Sequence, residues 1–337
     1  MNFHLIGFPH TVINTSYGQC AYTQKIRKFR LMFPESILYA NEGSDGEFVQ
    51  IFSEKDRVDR FGHLGKEYYK AEWGGKHWEE FNMIVIEEVK KRIQPQDIIL
   101  SLGGISQKSI ADAFPHNLFV EFGIGYEGIF SSFLVFESYA WMHNIYGLLG
   151  EKDGRFYDAV IPNYFDPSEF PFSAKKDDYL LFMSRPIERK GIEIVREIAK
   201  RNRVIVTGAE KTDFGEWVGY ADSKKRGELM SHAKALLCPT LYIEPFGGVV
   251  VEAAMCGTPS ITTDWGAFTE TVVDGVTGFR CRTLGEFLGA VKKVESLSPS
   301  VIESRAIDLY SLDAVKKKYE AYFTRLQTLY GKGWYTL

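Results

Sequence analysis

Short apolar runs alternate with longer stretches of helical period along nearly the whole chain, and they do so in two series. "FHLIG" (3–7) predicts a buried strand and "GQCAYTQKIRKFRLMF" (18–33) a helix. "SILYA", "FVQIF", "DIILSL" and "NLFVEF" predict further strands, with a helix over "FNMIVIEEVKKRI" (81–93) closed by Pro95. Residues 54–80, charged and aromatic around Gly74 and Gly75, read as a mobile insertion. The segment 160–178, "VIPNYFDPSEFPFSAKKDD", holds three prolines and a charged tail and reads as a linker. The second series follows: strand 179–183, helix 191–202, then "RVIVTG", "KKRGELMSHA", "KALLCP" and "PSITT". Uninterrupted apolar strands alternating with helices imply parallel sheets covered on both faces.

The chain has 337 residues, which suits two domains rather than one core. The expected division is one Rossmann-like domain over 1–165 and a second over 166–311. A long amphipathic helix, 312–337, either completes the second or packs back on the first. Basic and acidic side chains number 40 and 44, so the chain as a whole carries no electrostatic signature of nucleic-acid binding. Cys20, Cys238, Cys256 and Cys281 form no CxxC pair and lack His at zinc spacing; free thiols in a reducing cytoplasm are expected. No apolar run reaches membrane-spanning length, and "MNFHLIGFPHT" lacks the layout of a signal peptide, so a cytoplasmic protein is expected.

The chemistry concentrates in "YIEPFGGVVVEAAMCGTPSITTDWG" (242–266). By propensity the valines favour a strand. Gly257 and Pro259, however, fit the residues just past a helix end, which sets a helix over about 247–256. Gly247 and Gly248 then lie at its N-terminus, where unbonded N–H groups and the helix dipole favour an anion. Glu252 falls in the second turn of an apolar helix, where a carboxylate needs partners. The hydroxyls of a ribose would serve. So would a basic side chain, with Glu244 merely complementing the dipole. Both readings stand on the residues alone. In "MSRPIERKGIE", Arg185 follows a strand and Lys190 precedes a helix, an arrangement that suits a diphosphate.

"EPFGGVVVEAAMCGTPSI" resembles the signature of retaining GT-B glycosyltransferases close to glycosyltransferase family 4. "VIPNYFD", "RPIERKG" and "GAFTETVVDGVTGF" resemble its other segments in order and spacing, and the resemblance covers residues 160–283. It implies a GT-B fold, two Rossmann-like domains facing across a deep cleft. It implies that Glu252 binds the ribose of a UDP-, GDP- or ADP-linked sugar and that Glu244 contacts the donor hexose. Arg185 and Lys190 would neutralise the diphosphate. Amides of Phe246, Gly247 and Gly248 would hold phosphates and sugar, Gly208 would pass close to the nucleotide, and Gly18 would form the N-terminal glycine loop. The family transfers its sugar with retention of configuration and without a strong protein base. In keeping with that, no nucleophile–His pair stands out, and without an Asp-x-Asp motif no metal or other cofactor is expected. The family's first-domain His is replaced in "VEFG" by Glu121; His10 and His143 are the other candidates beside the reacting carbon.

"GIGYEG" (123–128) matches the Gly-x-Gly-x-x-Gly of a dinucleotide site, but the bulky "IFSSFLVFESYAW" that follows argues against it. In the first half, "GFPHT…CAYTQKIRKF" and "VFESYAWMH" resemble glycosyltransferase-like proteins carried by bacteriophages, some of which modify hydroxymethylated bases in DNA. Lys25, Arg27, Lys28 and Arg30 on one helix, with Trp73, Lys76, His77 and Trp78, could track a phosphate backbone and stack on a base. A hydroxymethylated pyrimidine in phage DNA is therefore one expected acceptor. A glycan, a cell-surface polysaccharide or a small molecule is the alternative, and a non-catalytic nucleotide-sugar-binding module a third reading.

Overall fold

A computed structural model describes residues 1–18, 20–62 and 73–330. It falls into two α/β units. The first comprises Met1–Glu137, Leu149–Ile161 and the chain from Lys316; the second comprises Ser138–Leu148 and Pro162–Val315.

The elements run in chain order: β1 (Phe3–Ile6), α1 (Ala21–Met32), β2 (Ile37–Ala40), β3 (Val49–Gln50), α2 (Glu54–Phe61), α3 (Lys76–Lys90), β4 (Ile98–Ser101), α4 (Lys108–Ala113), β5 (Leu118–Ile124), β6 (Phe133–Phe136), α5 (Tyr139–Leu149) and β7 (Ala159–Val160). The strands of the first unit form one sheet in the order β3-β2-β1-β4-β5-β6-β7, and its pairs are parallel. On one face Ile6, Tyr39, Ile99 and Phe119 pack with Phe81, Val85 and Val89 of α3. The final helix, α12 (Leu312–Tyr330), begins in the second unit and from Lys316 onward counts with the first. There Phe323 lies 4.6 Å from Phe3 and Tyr319 5.4 Å from Phe29, ring centre to ring centre. The Tyr322 hydroxyl donates to the Tyr157 carbonyl at 2.8 Å.

The second unit continues with β8 (Leu180–Met183), α6 (Ile192–Ala199), β9 (Val204–Thr207), β10 (Glu216–Trp217), α7 (Ser223–His232), β11 (Ala235–Cys238), α8 (Gly248–Met255), β12 (Ser260–Thr263), α9 (Phe268–Thr271), β13 (Gly278–Cys281), α10 (Leu284–Lys293) and α11 (Pro299–Tyr310). Its sheet has the order β10-β9-β8-β11-β12-β13, again with parallel pairs. Successive strand residues serve opposite faces. Leu180 and Phe182 join Val195, Ile198 and Phe287 in one core, while Leu181 joins Met230, Val250 and Phe268 in the other. The expected class, two parallel-sheet Rossmann-like domains of GT-B type, is what the chain forms.

Two expectations need correction, and the reading against a dinucleotide site stands. Residues 54–61 of the supposed insertion are helical, because Ser53 and Asp56 close a capping box around the first turn. Of the rest of that segment, residues 63–72 lie outside the described residues, and Lys76 opens α3 after the Gly74–Gly75 bend. The stretch after "GIGYEG" forms β6 and then α5 rather than a helix directly after the strand, so the dinucleotide pattern is a coincidence of glycines. Residues 138–148 group with the second unit, not with 1–165, because their polar partners are Pro245 and Glu270.

Candidate active site

In the second sheet β8 lies beside β11, while chain order runs outward from each, to β9 on one side and β12 on the other. The loops leaving β8 and β11 therefore diverge across the switch point, where open α/β sheets place their ligands. The loop after β8 carries Arg185 and Lys190; the loop after β11 carries Glu244 and leads into α8. They are pressed together. The Leu241 N–H donates to the Arg189 carbonyl at 2.8 Å, and a Cβ on Gly191 would lie 2.1 Å from the Pro239 carbonyl oxygen. Gly191 also sits at φ +72°, in the left-handed region.

This closeness joins two of the sequence-identified residues. Lys190 Nζ lies 2.9 Å from Glu244 Oε2 and 2.5 Å from the Tyr242 hydroxyl. Burial pulls the ammonium's pKa down more than any single neighbour raises it, but Glu244, Cys238 and Tyr242 together outweigh burial, and Lys190 stays above its ordinary value. Burial, then Glu244, pushes the Tyr242 phenol up to about 12, so it keeps its proton. The guanidinium of Arg189 lies 4.4 Å from the Tyr242 ring centre and completes a cationic rim. Arg185 is exposed just past the end of β8.

The helix expected over 247–256 is α8, with Gly247 as N-cap and Cys256 as C-cap. Gly247 is left-handed at φ +76°, and a Cβ there would meet Phe268 at 2.6 Å. The first N–H groups of α8 have no acceptor within the helix. At its other end the Gly257 N–H donates to the Ala254 carbonyl and the Thr258 N–H to that of Ala253, both at 2.9 Å. These are the paired bonds of a left-handed glycine cap. Gly266 lies so close that a Cβ would sit 2.7 Å from the Glu244 nitrogen, and the Ala267 N–H donates to the Glu244 carbonyl at 3.0 Å.

Glu252 pairs with Arg226 of α7. This is the ion pair that the residues alone left open against a ribose contact, and Arg226 is the site residue that sequence reading missed. Its position, 26 residues away on another helix, gives no local signal. Gly208 follows β9, 3.5 Å at a built Cβ from the Ser184 carbonyl. Arg185, Lys190, Gly208, Glu244, Phe246, Gly247 and Gly248 thus all lie at or just beyond the carboxyl ends of strands in one parallel sheet.

The other candidates fall elsewhere. Gly18 is exposed after a short 3-10 turn, with an ordinary right-handed φ of −58°. Glu121 is fully buried in β5; it accepts from the Phe130 and Ser131 amides at 2.8 and 2.7 Å and from the Tyr126 hydroxyl at 3.2 Å. Burial raises its pKa despite those bonds. His10 is buried among Phe8, Phe61, Trp73 and Trp78, and desolvation pushes it down to about 4. His143 is exposed on α5 and belongs to the second unit, a correction to its expected place in the first.

The basic helix also departs from expectation. Lys25 and Lys28 of α1 are buried. Lys25 donates to the Gly123 carbonyl at 2.9 Å and pairs with Glu137, and burial pulls it down to about 7. Arg27 donates to Gln24 at 2.7 Å and Arg30 to the Asp45 carbonyl at 2.7 Å. Trp78 is buried beneath the half-exposed Trp73, 4.9 Å away. No continuous basic stripe results from these four residues. Among the described residues, no group of three His, Cys, Asp or Glu side chains could hold a metal ion, and no helix is long and apolar enough to cross a membrane.

Residues 167–300 match the family model of glycosyl transferases group 1. That span is similar to the glycosyl transferases of group 1. Within it lie Arg185, Lys190, Gly208, Arg226, Glu244, the Phe246–Gly248 turn and Glu252, so the match covers the whole cluster. The chain is 30% identical to the glycogen synthase of Mycobacterium tuberculosis over 44% of its own length and 42% of the relative's. It is 43% identical to the alpha-maltose-1-phosphate synthase of the same organism over 15% and 13% of the two chains. The chain thus spans about two-fifths, or less, of the curated relatives it matches. Among solved structures, AviGT4, a glycosyltransferase involved in avilamycin A biosynthesis, superimposes with a TM-score of 0.71 at 18% identity, covering 97% of this chain and 98% of the other. The sucrose-phosphate synthase of Thermosynechococcus elongatus gives 0.68 at 13% identity, covering 96% and 98%. Anabaena HepE in complex with UDP-glucose gives 0.66 at 15%, covering 96% and 100%.

Proposed function

We propose that the protein transfers a hexose from a nucleoside-diphosphate sugar to an acceptor hydroxyl, with retention of configuration. The observation that carries this reading is Lys190, held charged by Glu244 across the switch point from the left-handed turn that opens α8. Departure of a nucleoside diphosphate builds negative charge on its phosphate oxygens. Lys190, Arg185 and the amides of Phe246, Gly247 and Gly248 would stabilise that charge. Glu244 would then exchange part of its contact with Lys190 for hydroxyls of the donor sugar. Glu252 would take the ribose hydroxyls, with Arg226 keeping it ionised and oriented. Positive charge comes from side chains and backbone, so the proposed transfer needs no metal, and turnover is expected to survive EDTA. The relatives are named for glucan and sucrose-phosphate synthesis, and one similar structure holds UDP-glucose. These support a UDP-linked hexose and a glycan or small-molecule acceptor.

The test is release of free nucleoside diphosphate from UDP-, GDP- and ADP-hexoses. Release from one of them that Glu252→Ala slows at low donor concentration, through a raised KM, supports the reading; none from any donor or acceptor mixture sinks it and leaves a binding module. An acceptor in DNA rested on the α1 basic residues together with the Trp73–Trp78 patch, and burial of Lys25, Lys28 and Trp78 takes away part of that support. A salt-sensitive gel shift with duplex DNA would restore it.

A further inference from the structure

The N-terminus of α5 is tied to the candidate donor site by a complete set of bonds within the second unit. The Tyr139 N–H donates to Glu270 Oε2 at 3.0 Å and the Ala140 N–H to Glu270 Oε1 at 2.8 Å. The Trp141 N–H donates to the Ser138 hydroxyl oxygen at 3.0 Å. The first three amides of the helix are therefore all satisfied by side chains, which removes this terminus as an anion site. The Ser138 hydroxyl proton is still available, and it goes to the Pro245 carbonyl at 2.6 Å. Ser138 is 1% exposed, so no water competes for that bond.

Pro245 lies between Glu244 and Phe246. A peptide group is planar and trans, so fixing the direction of the Pro245 carbonyl fixes the Phe246 N–H on the opposite side of the same plane. The preceding carbonyl, that of Glu244, is held by the Ala267 N–H at 3.0 Å. Two consecutive carbonyls of the loop are thus bonded from separate elements, one from α5 and one from the turn before α9. Glu270 sits three residues beyond Ala267 and grips α5 at the same time.

We propose that Ser138 and Glu270 are positioning residues: Ser138 aims the Phe246 amide at the donor phosphates, and Glu270 holds Ser138 in place. This rests on the glycosyltransferase reading above. Neither side chain needs to touch the donor. Loss of the hydroxyl in Ser138→Ala frees the Pro245–Phe246 peptide to rotate. Glu270→Gln keeps the side-chain size but replaces one of the two acceptor oxygens by a donor, so one amide of α5 loses its partner.

The experiment measures binding of UDP, GDP and ADP to the full chain by calorimetry, each beside its nucleoside: uridine, guanosine or adenosine. Amide hydrogen exchange at residue 246 is followed in the same proteins. For the nucleotide that binds the wild type, Ser138→Ala is expected to weaken affinity about fivefold, and Glu270→Gln by a similar factor, on the scale of one hydrogen bond. Affinity for the nucleoside, which has no phosphates, stays unchanged, and exchange at Phe246 quickens. Unchanged nucleotide affinity in both variants overturns the proposal. So does an equal loss for nucleotide and nucleoside, which would mark a general structural role. If the wild type binds none of the three nucleotides, the donor reading itself fails and this inference with it. A wild type that binds beside unaffected variants sinks the positioning role alone.

Discussion

At the scale of single residues, the site holds its charges in pairs. Glu244 faces Lys190 and Glu252 faces Arg226, so each carboxylate is neutralised before any donor arrives. The pairs answer the desolvation problem that an apolar helix sets for a carboxylate. They also predict different phenotypes. Lys190→Ala removes the cation that would stabilise the leaving phosphates, and kcat/KM should fall about 100-fold or more. Glu252→Ala should weaken the nucleoside diphosphate about 10- to 100-fold by calorimetry through lost ribose contacts, with a smaller effect on kcat. In the first unit, His10 offers a pH test of another kind. Its folded value of about 4 lies below the ordinary 6.5 because burial disfavours the cation. The unfolded chain therefore binds the extra proton first. Stability is full above pH 6.5 and is lost as pH falls toward 4. His10→Phe should flatten the melting temperature across that window.

At the scale of elements, α8 shows why one helix was legible and its partner was not. Three valines in a row favour a strand, yet Gly247 and Gly257 mark both helix ends in the sequence, and both are left-handed in the structure. Gly257→Ala combines that backbone cost with a Cβ 2.6 Å from the Phe172 ring. It should destabilise the protein by at least about 1–2 kcal/mol in urea unfolding. The alternation of strands and helices was equally readable, since each buried strand is a short apolar run. Arg226 and the Ser138–Glu270 tie were not. Their partners lie 26 and more than 100 residues away, and no local pattern reports a contact set by packing. The α1 residues misled for a related reason. Lys25, Arg27, Lys28 and Arg30 look like one basic face, but a parallel sheet covered by helices buries the inward turn of α1 whatever its charge, and Glu137 and the Gly123 carbonyl meet Lys25 there. Residues 54–61 read as a mobile insertion because charge was weighed above the Ser53–Asp56 capping signal.

At the scale of the molecule, the residues proposed to bind the donor belong to one of the two parallel sheets. Every residue of the group 1 match lies in the second unit, so donor binding should register there first. The nucleotide sugar that the site accepts is expected to raise the apparent melting temperature by mass action. It should also slow amide exchange in the loops after β8, β9 and β11 before any acceptor is added. A donor that raised the melting point while leaving those loops unprotected would contradict the site.

The chain's route through the units carries a consequence for biosynthesis. It passes from one unit to the other four times, after Glu137, Leu148, Ile161 and Val315. Phe3, Phe29 and Phe33 meet Phe323 only when α12 exists. A ribosome therefore completes the second unit while the first, although begun earlier, still shows bare aromatic rings. The half of the protein that is translated first is the half that finishes folding last, and for that interval it is the natural client of a chaperone.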